Sequence, residues 1–267
     1  MNWRIDLSRF LYRLADWMQS VPIFLMRPED VTEFTRGTYS RPNLVETWSR
    51  PEYVDVGLDS DEIALLEKMP VRTGRLLLLG LGGGREAISF AKRGFTVTGV
   101  DFVTEMVAQA KANARRHHVK IEGLVQDFSN LGIAPASFDV IWFSTGLYSA
   151  IPTRAMRISA LKRMRRALRP GGCVVCQFTW DPSGGPYSCR RRRLGALVAF
   201  LTSGNRGFEH GDQLQGGLEF MHSFRSEDEL RSEFDFSGLV VHHWNVFSDS
   251  CMRGAILVNE PANGETH

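Results

Sequence analysis

The sequence contains few cysteines, no long apolar run and no excess of one charge. Only four of the 267 residues are cysteine. The longest apolar stretches, such as residues 21–26 and 196–201, fall far below the roughly 20 residues that a bilayer span needs. Charged residues interrupt the first 20 positions, so we expect no secretory signal peptide and a reducing, cytoplasmic location. The net charge of +2 gives no reason by itself to expect a nucleic-acid or membrane partner.

The composition is that of a globular protein. Hydrophobic residues make up 43% and charged residues 23% of the chain, which excludes a disordered chain, a collagen-like fibre and a small disulfide scaffold. The length allows one large domain with additions, or two small ones.

Residues 1–70 are predicted to form a helical N-terminal extension or cap. Apolar residues recur at helical spacing near the start, and we interpret them as one face of a helix docked on the main body. A dimer interface, a lid over a site and a membrane-surface helix are the alternatives for this face. A further helix is predicted from about Ser60 to Lys68, because Asp59 can cap it. The residues of the apolar face are Leu7, Phe10, Leu11, Leu14, Trp17 and Met18.

Residues 71–260 alternate short apolar strands with helices, which predicts parallel βαβ units in an α/β fold. Two segments near the end read as a closing hairpin-like pair. We therefore expect a doubly wound, mostly parallel seven-stranded sheet with an antiparallel last strand. The predicted strands are 75–79, 95–100, 121–125, 138–143, 173–178, 239–247 and 254–258, and the helices between them are 86–93, 104–116 and 153–168.

The alternation stops after residue 180. Residues 181–222 are rich in glycine, arginine and serine and are predicted to be an insertion that faces the substrate, with one helix at about 194–201. A capping box at Ser226 starts a helix that reaches about Phe234. Residues 261–267 are predicted to be a polar tail.

The strongest functional signal is a glycine loop between the first strand and the first helix of this domain. Gly80-Leu81-Gly82-Gly83-Gly84 leaves no side chain in the way of a ligand and directs backbone N–H groups toward an anion. Asp101 ends the next strand, where a carboxylate can accept hydrogen bonds from ribose hydroxyls. The pair predicts a nucleoside-containing ligand at the carboxyl edge of the sheet. The dinucleotide fingerprint fails from Gly80 and passes weakly from Gly82, so the loop alone leaves NAD open.

Further motifs resemble those of the class I S-adenosylmethionine-dependent methyltransferases. The resemblance covers residues 74–180 well and 222–258 loosely. Val103-Thr104 departs from the more usual Ser-Pro, but Thr104 can still cap its helix. The matching segments are Leu77-Leu78-Leu79-Gly80-Leu81-Gly82-Gly83-Gly84-Arg85-Glu86-Ala87, Val100-Asp101-Phe102-Val103-Thr104-Glu105-Met106, Gln126-Asp127-Phe128, Phe138-Asp139-Val140-Ile141-Trp142 and Leu168-Arg169-Pro170-Gly171-Gly172.

The resemblance implies S-adenosyl-L-methionine as the cofactor and a role for each matching position. It places the glycines near the methionine part, Asp101 on the ribose, Phe102 and Met106 at the adenine, Asp127 and the backbone of Phe128 at its polar edge, and Ser144 near the methyl group. The implied cofactor residues are Gly80, Gly82, Gly84, Asp101, Phe102, Met106, Asp127, Phe128 and Ser144.

Substrate contacts are expected beyond the same edge of the sheet. Tyr148 follows the fourth strand and Trp180 follows the fifth, while Tyr39 and His210 lie in the two segments that would roof the site. His222 is the first candidate for a general base. Asp212 and Tyr39 are weaker candidates for that role.

Two other patterns receive a separate interpretation. Cys173 and Cys176 lie three apart in a predicted strand, so their side chains point to opposite faces and we expect core cysteines and no metal site. The second pattern is the basic run Arg190-Arg191-Arg192-Arg193, which, unlike the cysteines, has a functional interpretation: it can bind the phosphates of an anionic substrate or of RNA.

The function that these observations favour is methyl transfer to a small-molecule acceptor. Methylation of RNA or protein through the arginine run remains an alternative, although nucleic acid is not the expected partner. A non-catalytic S-adenosylmethionine-binding protein and an NAD-dependent dehydrogenase are further alternatives. The first helix also leaves a homodimer open.

Overall fold

The computed structural model describes residues 3–127, 131–183, 188–217, 219–246 and 251–259. Phe128 and the predicted tail 261–267 lie outside the described residues. The helices are α1 (Trp3–Ser20), α2 (Pro22–Leu25), α3 (Pro28–Tyr39), α4 (Pro42–Ser49), α5 (Pro51–Val54), α6 (Ser60–Lys68), α7 (Arg85–Lys92), α8 (Thr104–Arg116), α9 (Arg154–Ala167), α10 (Cys189–Thr202) and α11 (Glu227–Ser237). The strands are β1 (Gly74–Leu79), β2 (Phe95–Asp101), β3 (Ile121–Val125), β4 (Phe138–Phe143), β5 (Leu168–Thr179), β6 (Asp212–Gln215), β7 (Glu219–His222), β8 (Leu239–Val246) and β9 (Met252–Asn259).

Seven strands form one sheet in the order β3-β2-β1-β4-β5-β9-β8. The first five pair in parallel, and β9 runs antiparallel to both β5 and β8. The predicted α/β fold, with its antiparallel last strand, is confirmed. The reversal of strand order between β1 and β4 opens a crevice at their carboxyl ends, where ligands bind in sheets of this kind.

Successive residues of the central strands point to opposite sides of the sheet. They pack into two hydrophobic core layers, one on each side. Leu76 and Leu78 pack on one side and Leu77 on the other, all at most 1% exposed. Cys173 and Cys176 divide in the same way between the two layers. Their interpretation as core cysteines on opposite faces is therefore confirmed, and burial raises the pKa of both thiols.

The helix signals of the sheet domain were sufficient to place its helices. Asp59 accepts a hydrogen bond from the backbone N–H of Glu62 and starts α6 at the predicted residue. By contrast, α10 begins five residues before the predicted start, where the Ser188 side chain caps it. The two-stranded sheet of β6 and β7 was not predicted, because its four-residue strands carry no clear alternation of apolar and polar residues.

The N-terminal segment is helical as predicted, but the docking of α1 on the main body is wrong. The helix packs against α2 and leaves its apolar side chains uncovered, with Phe10 and Met18 each 60% exposed. Helical spacing predicts an amphipathic helix without saying what covers its apolar face. Among the described residues, no helix combines the length and the apolarity that crossing a bilayer requires.

Candidate functional site

A cavity of about 510 Å³ lies at the carboxyl edge of the sheet, between the ends of β1, β2 and β4 and the N-terminal helices. This volume is within the range of small-molecule and cofactor sites. Three separate parts of the chain line it: the N-terminal helices, the sheet edge and strand β7. The lining residues used below are Tyr39, Trp48, Tyr53, Gly80, Gly82, Arg85, Glu86, Asp101, Phe102, Met106, Ser144, Leu147, Glu219 and Met221.

The glycine loop forms the floor of this cavity. Gly80 and Gly82 line it with backbone φ angles of 81° and 50°, in the left-handed region that favours glycine. A Cβ on Gly83 would lie 2.1 Å from the carbonyl oxygen of Trp48, so the loop also seats against α4. Gly84 is not a lining residue and packs on Ala110 of α8, where a Cβ would approach within 3.2 Å. This packing gives Gly84 a structural reason to be glycine, and its cofactor contact stays a prediction.

Asp101 presents its carboxylate to the cavity from the end of β2. Oδ2 accepts from the backbone N–H of Gly82 at 2.8 Å, and Oδ1 accepts from that of Val103 at 3.0 Å. Burial raises the pKa of Asp101, and these backbone donors oppose the shift. Each carboxylate oxygen can accept a second hydrogen bond. The carboxylate is thus fixed in place with acceptor capacity left for a pair of ligand hydroxyls.

An apolar shelf beside Asp101 suits a flat ring. Phe102 and Met106 both line the cavity, and the guanidinium of Arg36 lies 5.5 Å from the Phe102 ring centre. Arg36 also lies 3.7 Å from the carboxylate of Asp127. Asp127 is close to this shelf without being a lining residue, and the prediction for Phe128 falls outside the described residues.

A buried charged network behind the loop was missed by sequence reasoning. Ser144 donates to Glu86 at 2.6 Å, and both residues line the cavity. Arg85 pairs with both oxygens of Glu62, at 2.6 and 2.7 Å, and lies 3.1 Å from Glu86. Burial raises the pKa of Glu86, and the Arg85 charge opposes that shift. The available signal was Arg85-Glu86 itself, since two charged residues directly after a glycine loop start a helix that packs on the sheet.

The roof of the cavity, defined here as Tyr39, Trp48, Tyr53, Glu219 and Met221, joins distant parts of the chain. The Tyr39 hydroxyl donates to Glu219 Oε2 at 2.5 Å. Burial and the neighbouring Glu219 raise the pKa of Tyr39, so its hydroxyl stays protonated at neutral pH. Trp48 and Tyr53 pack edge to face with ring centres 4.8 Å apart. Glu219 was missed because β7 itself was not predicted.

His222 does not line the cavity, so its placement does not support the predicted role of general base. The side chain is fully buried, and its Nδ1 lies 2.7 Å from Asp212 Oδ1. On its other side, Nε2 lies 3.6 Å from Glu229 and 3.9 Å from Glu209. Burial by itself lowers the pKa of His222, but the two carboxylates of Asp212 and Glu229 raise it above the usual value. The weaker candidate Asp212 is buried in the same cluster and does not line the cavity either.

Three predicted substrate contacts also lie away from the cavity. Tyr148 is fully buried and donates to Glu233 at 2.6 Å, so its hydroxyl is engaged in the interior. Trp180 packs edge to face on Trp244, and His210 is likewise absent from the lining. Of the predicted substrate residues, Tyr39 is the one that lines the cavity. A position after a parallel strand identifies the correct edge of the sheet without fixing where the side chain points.

Two further predictions concern metal and arginine. No group of His, Cys, Asp or Glu within the described ranges could hold a metal ion. The four arginines from 190 to 193 lie at the start of α10 and are not among the residues lining the cavity.

Comparisons with known proteins agree with the fold and the loop. Residues 76–172 match the family described as methyltransferase domain. The chain is 34% identical over 147 residues to the demethylmenaquinone methyltransferase of Beutenbergia cavernae, covering 53% of this chain and 58% of that protein. It is also 34% identical over 131 residues to the S-adenosyl-L-methionine-dependent Diels–Alderase of Talaromyces variabilis, covering 47% and 43% respectively.

A solved structure extends the likeness of fold beyond the matched segment. A SAM-dependent methyltransferase from Methanosarcina mazei superposes with a TM-score of 0.58 at 20% identity, covering 76% of this chain and 98% of that one. The chain spans about half the length of the curated relatives above. The glycine loop and Asp101 fall inside the matched residues, whereas Tyr39 and Glu219 fall outside the family match.

Proposed function

We propose that this chain, whose residues 76–172 match the methyltransferase domain family, is a class I S-adenosylmethionine-dependent methyltransferase that transfers a methyl group from S-adenosylmethionine to a small, largely apolar acceptor. The observation that carries the proposal is one cavity that joins the glycine loop and Asp101 to an aromatic roof with a hydrogen-bonded Tyr39–Glu219 pair. In this proposal residues 1–70 and the insertion 181–222 supply the roof, and residues 71–260 supply the cofactor site.

The donor groups of the sheet edge suit the cofactor. Asp101 would accept from the ribose hydroxyls, Phe102 and Met106 would flank the adenine, and Gly80 and Gly82 would let the backbone approach the methionine part. Ser144 and Glu86 would lie at the end nearer the reacting methyl group. When bound, the cofactor supplies an electrophilic methyl group on a sulfonium, and the protein supplies alignment and exclusion of water.

The roof favours a ring-shaped acceptor. The roof residues Trp48, Tyr53 and Met221, together with Leu147 of the same cavity, offer apolar and aromatic surface. Demethylmenaquinone is the acceptor in the name of one relative, and a reduced, hydroxylated quinone ring matches such a surface. We therefore propose a quinol-type ring as the acceptor class.

Glu219 is the proposed proton acceptor in place of His222. Its Oε2 already accepts from Tyr39, which holds the carboxylate at the cavity wall. Removal of an acceptor proton by Glu219, directly or through the Tyr39 hydroxyl, would raise the nucleophilicity of the attacking atom as the methyl bond forms.

The test of the cofactor site is titration with S-adenosylmethionine by calorimetry. Asp101→Ala is expected to weaken binding at least 10-fold, because charge-assisted hydrogen bonds contribute about 1.5–3 kcal/mol. Asp55→Ala, at an exposed carboxylate paired with Arg116, is the matched control and should leave binding unchanged. NAD should not bind either protein.

A second measurement tests the reaction itself. Labelled methyl transfer from S-adenosylmethionine to a naphthoquinol is expected with the wild-type protein.

Equal affinity of wild type and Asp101→Ala for S-adenosylmethionine would contradict the ribose assignment. Tight cofactor binding without transfer to any quinol would contradict the proposed acceptor and favour a non-catalytic or non-methylating role, such as the one named for the Diels–Alderase relative.

A further inference from the structure

Two helices outside the sheet expose apolar side chains on their outer sides. On α1, Trp3 is 65% and Phe10 60% exposed. On α10, Leu197 is 51%, Phe200 65% and Leu201 72% exposed. We call these outer sides together the α1–α10 face. Exposed apolar surface of this kind marks an interaction site more often than isolated surface residues do.

The inner side of α10 already packs against the rest of the protein. The exposed apolar residues are therefore additional to those that bury the helix. A Cβ on Gly195 would lie 2.3 Å from the ring of Phe24 in α2, and Val198 packs against the same cluster. The short helix α2 also contacts α1, and its Leu25 is 42% exposed. Both helices therefore contact α2, and each exposes apolar residues to solvent.

The two segments that carry the α1–α10 face are basic. Residues 3–20 and 188–208 hold eight of the chain's 32 basic residues and two of its 30 acidic residues, a net charge of +6. The rest of the chain consequently carries −4, because the whole chain carries +2. Arg190 and Arg193 are exposed next to the apolar residues of α10.

A second cavity lies between α10 and the segment that follows it, and its lining suits an anion. It measures about 310 Å³ and is lined by Arg192 and Arg206 together with Phe200, Phe208 and Asn205. The buried Nε–H of Arg192 has no acceptor within the described part of the chain. The guanidinium of Arg206 lies 5.5 Å from the Phe200 ring centre. None of the residues that line this cavity is acidic.

We propose that the α1–α10 face docks on an anionic lipid surface, with a headgroup phosphate held between Arg192 and Arg206. Amphipathic helices with arginine beside tryptophan, phenylalanine and leucine lie in the headgroup region of bilayers, where apolar burial and attraction to anionic lipid add. Nucleic acid would satisfy the arginines and leave the leucines in water. A symmetric pairing of two copies would bring two faces of charge +6 together.

The proposed docking surface connects to the roof of the first cavity. Phe220, between the roof residues Glu219 and Met221, packs with Ile23 and Phe24 of α2. Helix α2, which contacts both α1 and α10, thus packs against the strand that carries two of the roof residues. An apolar acceptor dissolved in the lipid would meet the protein on the side where its cavity is roofed.

The test is co-sedimentation of the full chain with lipid vesicles. Binding is expected to vesicles of phosphatidylglycerol in phosphatidylcholine, to weaken as salt is added, and to be absent with phosphatidylcholine alone. Arg190→Gln with Arg193→Gln should lower the partition coefficient about 25-fold, about fivefold for each arginine. Arg115→Gln with Arg166→Gln removes the same charge from exposed positions on other helices and should have a much smaller effect.

A matched phenylalanine pair tests the apolar contribution. Phe200→Ser should weaken vesicle binding about 10-fold or more, whereas Phe236→Ser should not. Phe236 is 62% exposed on α11 and also lies under an arginine, Arg154 at 5.0 Å, so the two sites differ mainly in location.

Three results would overturn the proposal. The first is equal binding to vesicles with and without phosphatidylglycerol. The second is a stable dimer that Phe200→Ser dissociates, in a protein that ignores vesicles. The third is thermal stabilisation by inorganic phosphate, lost in Arg192→Gln, without vesicle binding. Each readout is independent of methyl transfer, so failure of the proposed activity would leave this test intact.

Discussion

The sheet edge and the roof of the same cavity are built in opposite ways. At the sheet edge, the hydrogen bond between Gly82 and Asp101 joins residues only 19 positions apart in the sequence. The strands that lead to both residues have buried side chains. In the roof, Tyr39 and Glu219 are 180 residues apart and meet through a single side-chain hydrogen bond. The helices beyond the roof leave large apolar side chains in water. The cofactor site is therefore held in place by the hydrophobic core, whereas the acceptor site depends on elements that have fewer buried side chains behind them.

The prediction with the greatest effect concerns a buried ion pair between α9 and α11, the helices that pack on the core behind the sheet edge. Glu233→Gln removes a fully buried carboxylate that pairs with the fully buried Arg157 at 2.7 Å. Because Arg157 would keep only its pairing with Glu209, the free energy of unfolding should fall by about 3 kcal/mol. Urea unfolding followed by circular dichroism measures this loss.

The same helix offers the control for that substitution. Glu227 forms an exposed pair with Arg231 at 2.5 Å, and Glu227→Gln should cost less than about 0.5 kcal/mol. Equal losses from the two substitutions would mean that burial of the Arg157 pair does not set its importance, and the contrast between covered core and exposed surface would fail.

The second prediction separates the roof from the sheet edge. Glu219→Gln should lower kcat about 100-fold, because it removes the proposed proton acceptor, while the affinity for S-adenosylmethionine stays unchanged. Steady-state methyl transfer and calorimetry give the two quantities. Tyr39→Phe should lower kcat less, since the carboxylate remains.

Glu67→Gln, at an exposed position on α6, is the control and should change neither quantity. If Glu219→Gln weakened cofactor binding as strongly as it lowered kcat, roof and sheet edge would act as one site rather than as two separable parts.

The smallest expected effect concerns pH and the buried histidine beneath the roof. The pKa of folded His222 is raised above its usual value of 6.5, so its contribution to stability is fully present below that value and is lost as the pH rises through the folded pKa. The advantage of wild type over His222→Gln should therefore be greatest at acidic pH, on the order of 1 kcal/mol, and shrink above neutrality.

Urea unfolding at a series of pH values measures that difference. His242→Gln, at an exposed histidine on β8, should follow wild type throughout. An advantage of wild type that grew as the pH rose would show that His222 is held neutral, contrary to the effect of Asp212 and Glu229 beside it.

Local sequence patterns were a good guide wherever neighbours along the chain form the structure. The glycine loop, the strand that ends at Asp101 and the cap of α6 at Asp59 all depend on residues a few positions apart. Prediction was poorer where the chain only borders the sheet. Tyr148 follows β4 and His222 ends β7, but tertiary packing buries both side chains in the interior.

Local patterns along the chain are enough to predict the layered sheet, its strand directions and the edge at which a nucleoside can bind. Periods of two and 3.6 residues, together with glycine and capping signals, act over short separations. Tertiary structure alone decided that Tyr39 meets Glu219, that Arg85 and Glu62 close the floor from behind, and that α1 and α10 keep apolar faces uncovered. These contacts join residues that are far apart in the sequence, and no short sequence pattern predicts which distant residues will meet. They are set by how the helices and strands pack in the folded protein.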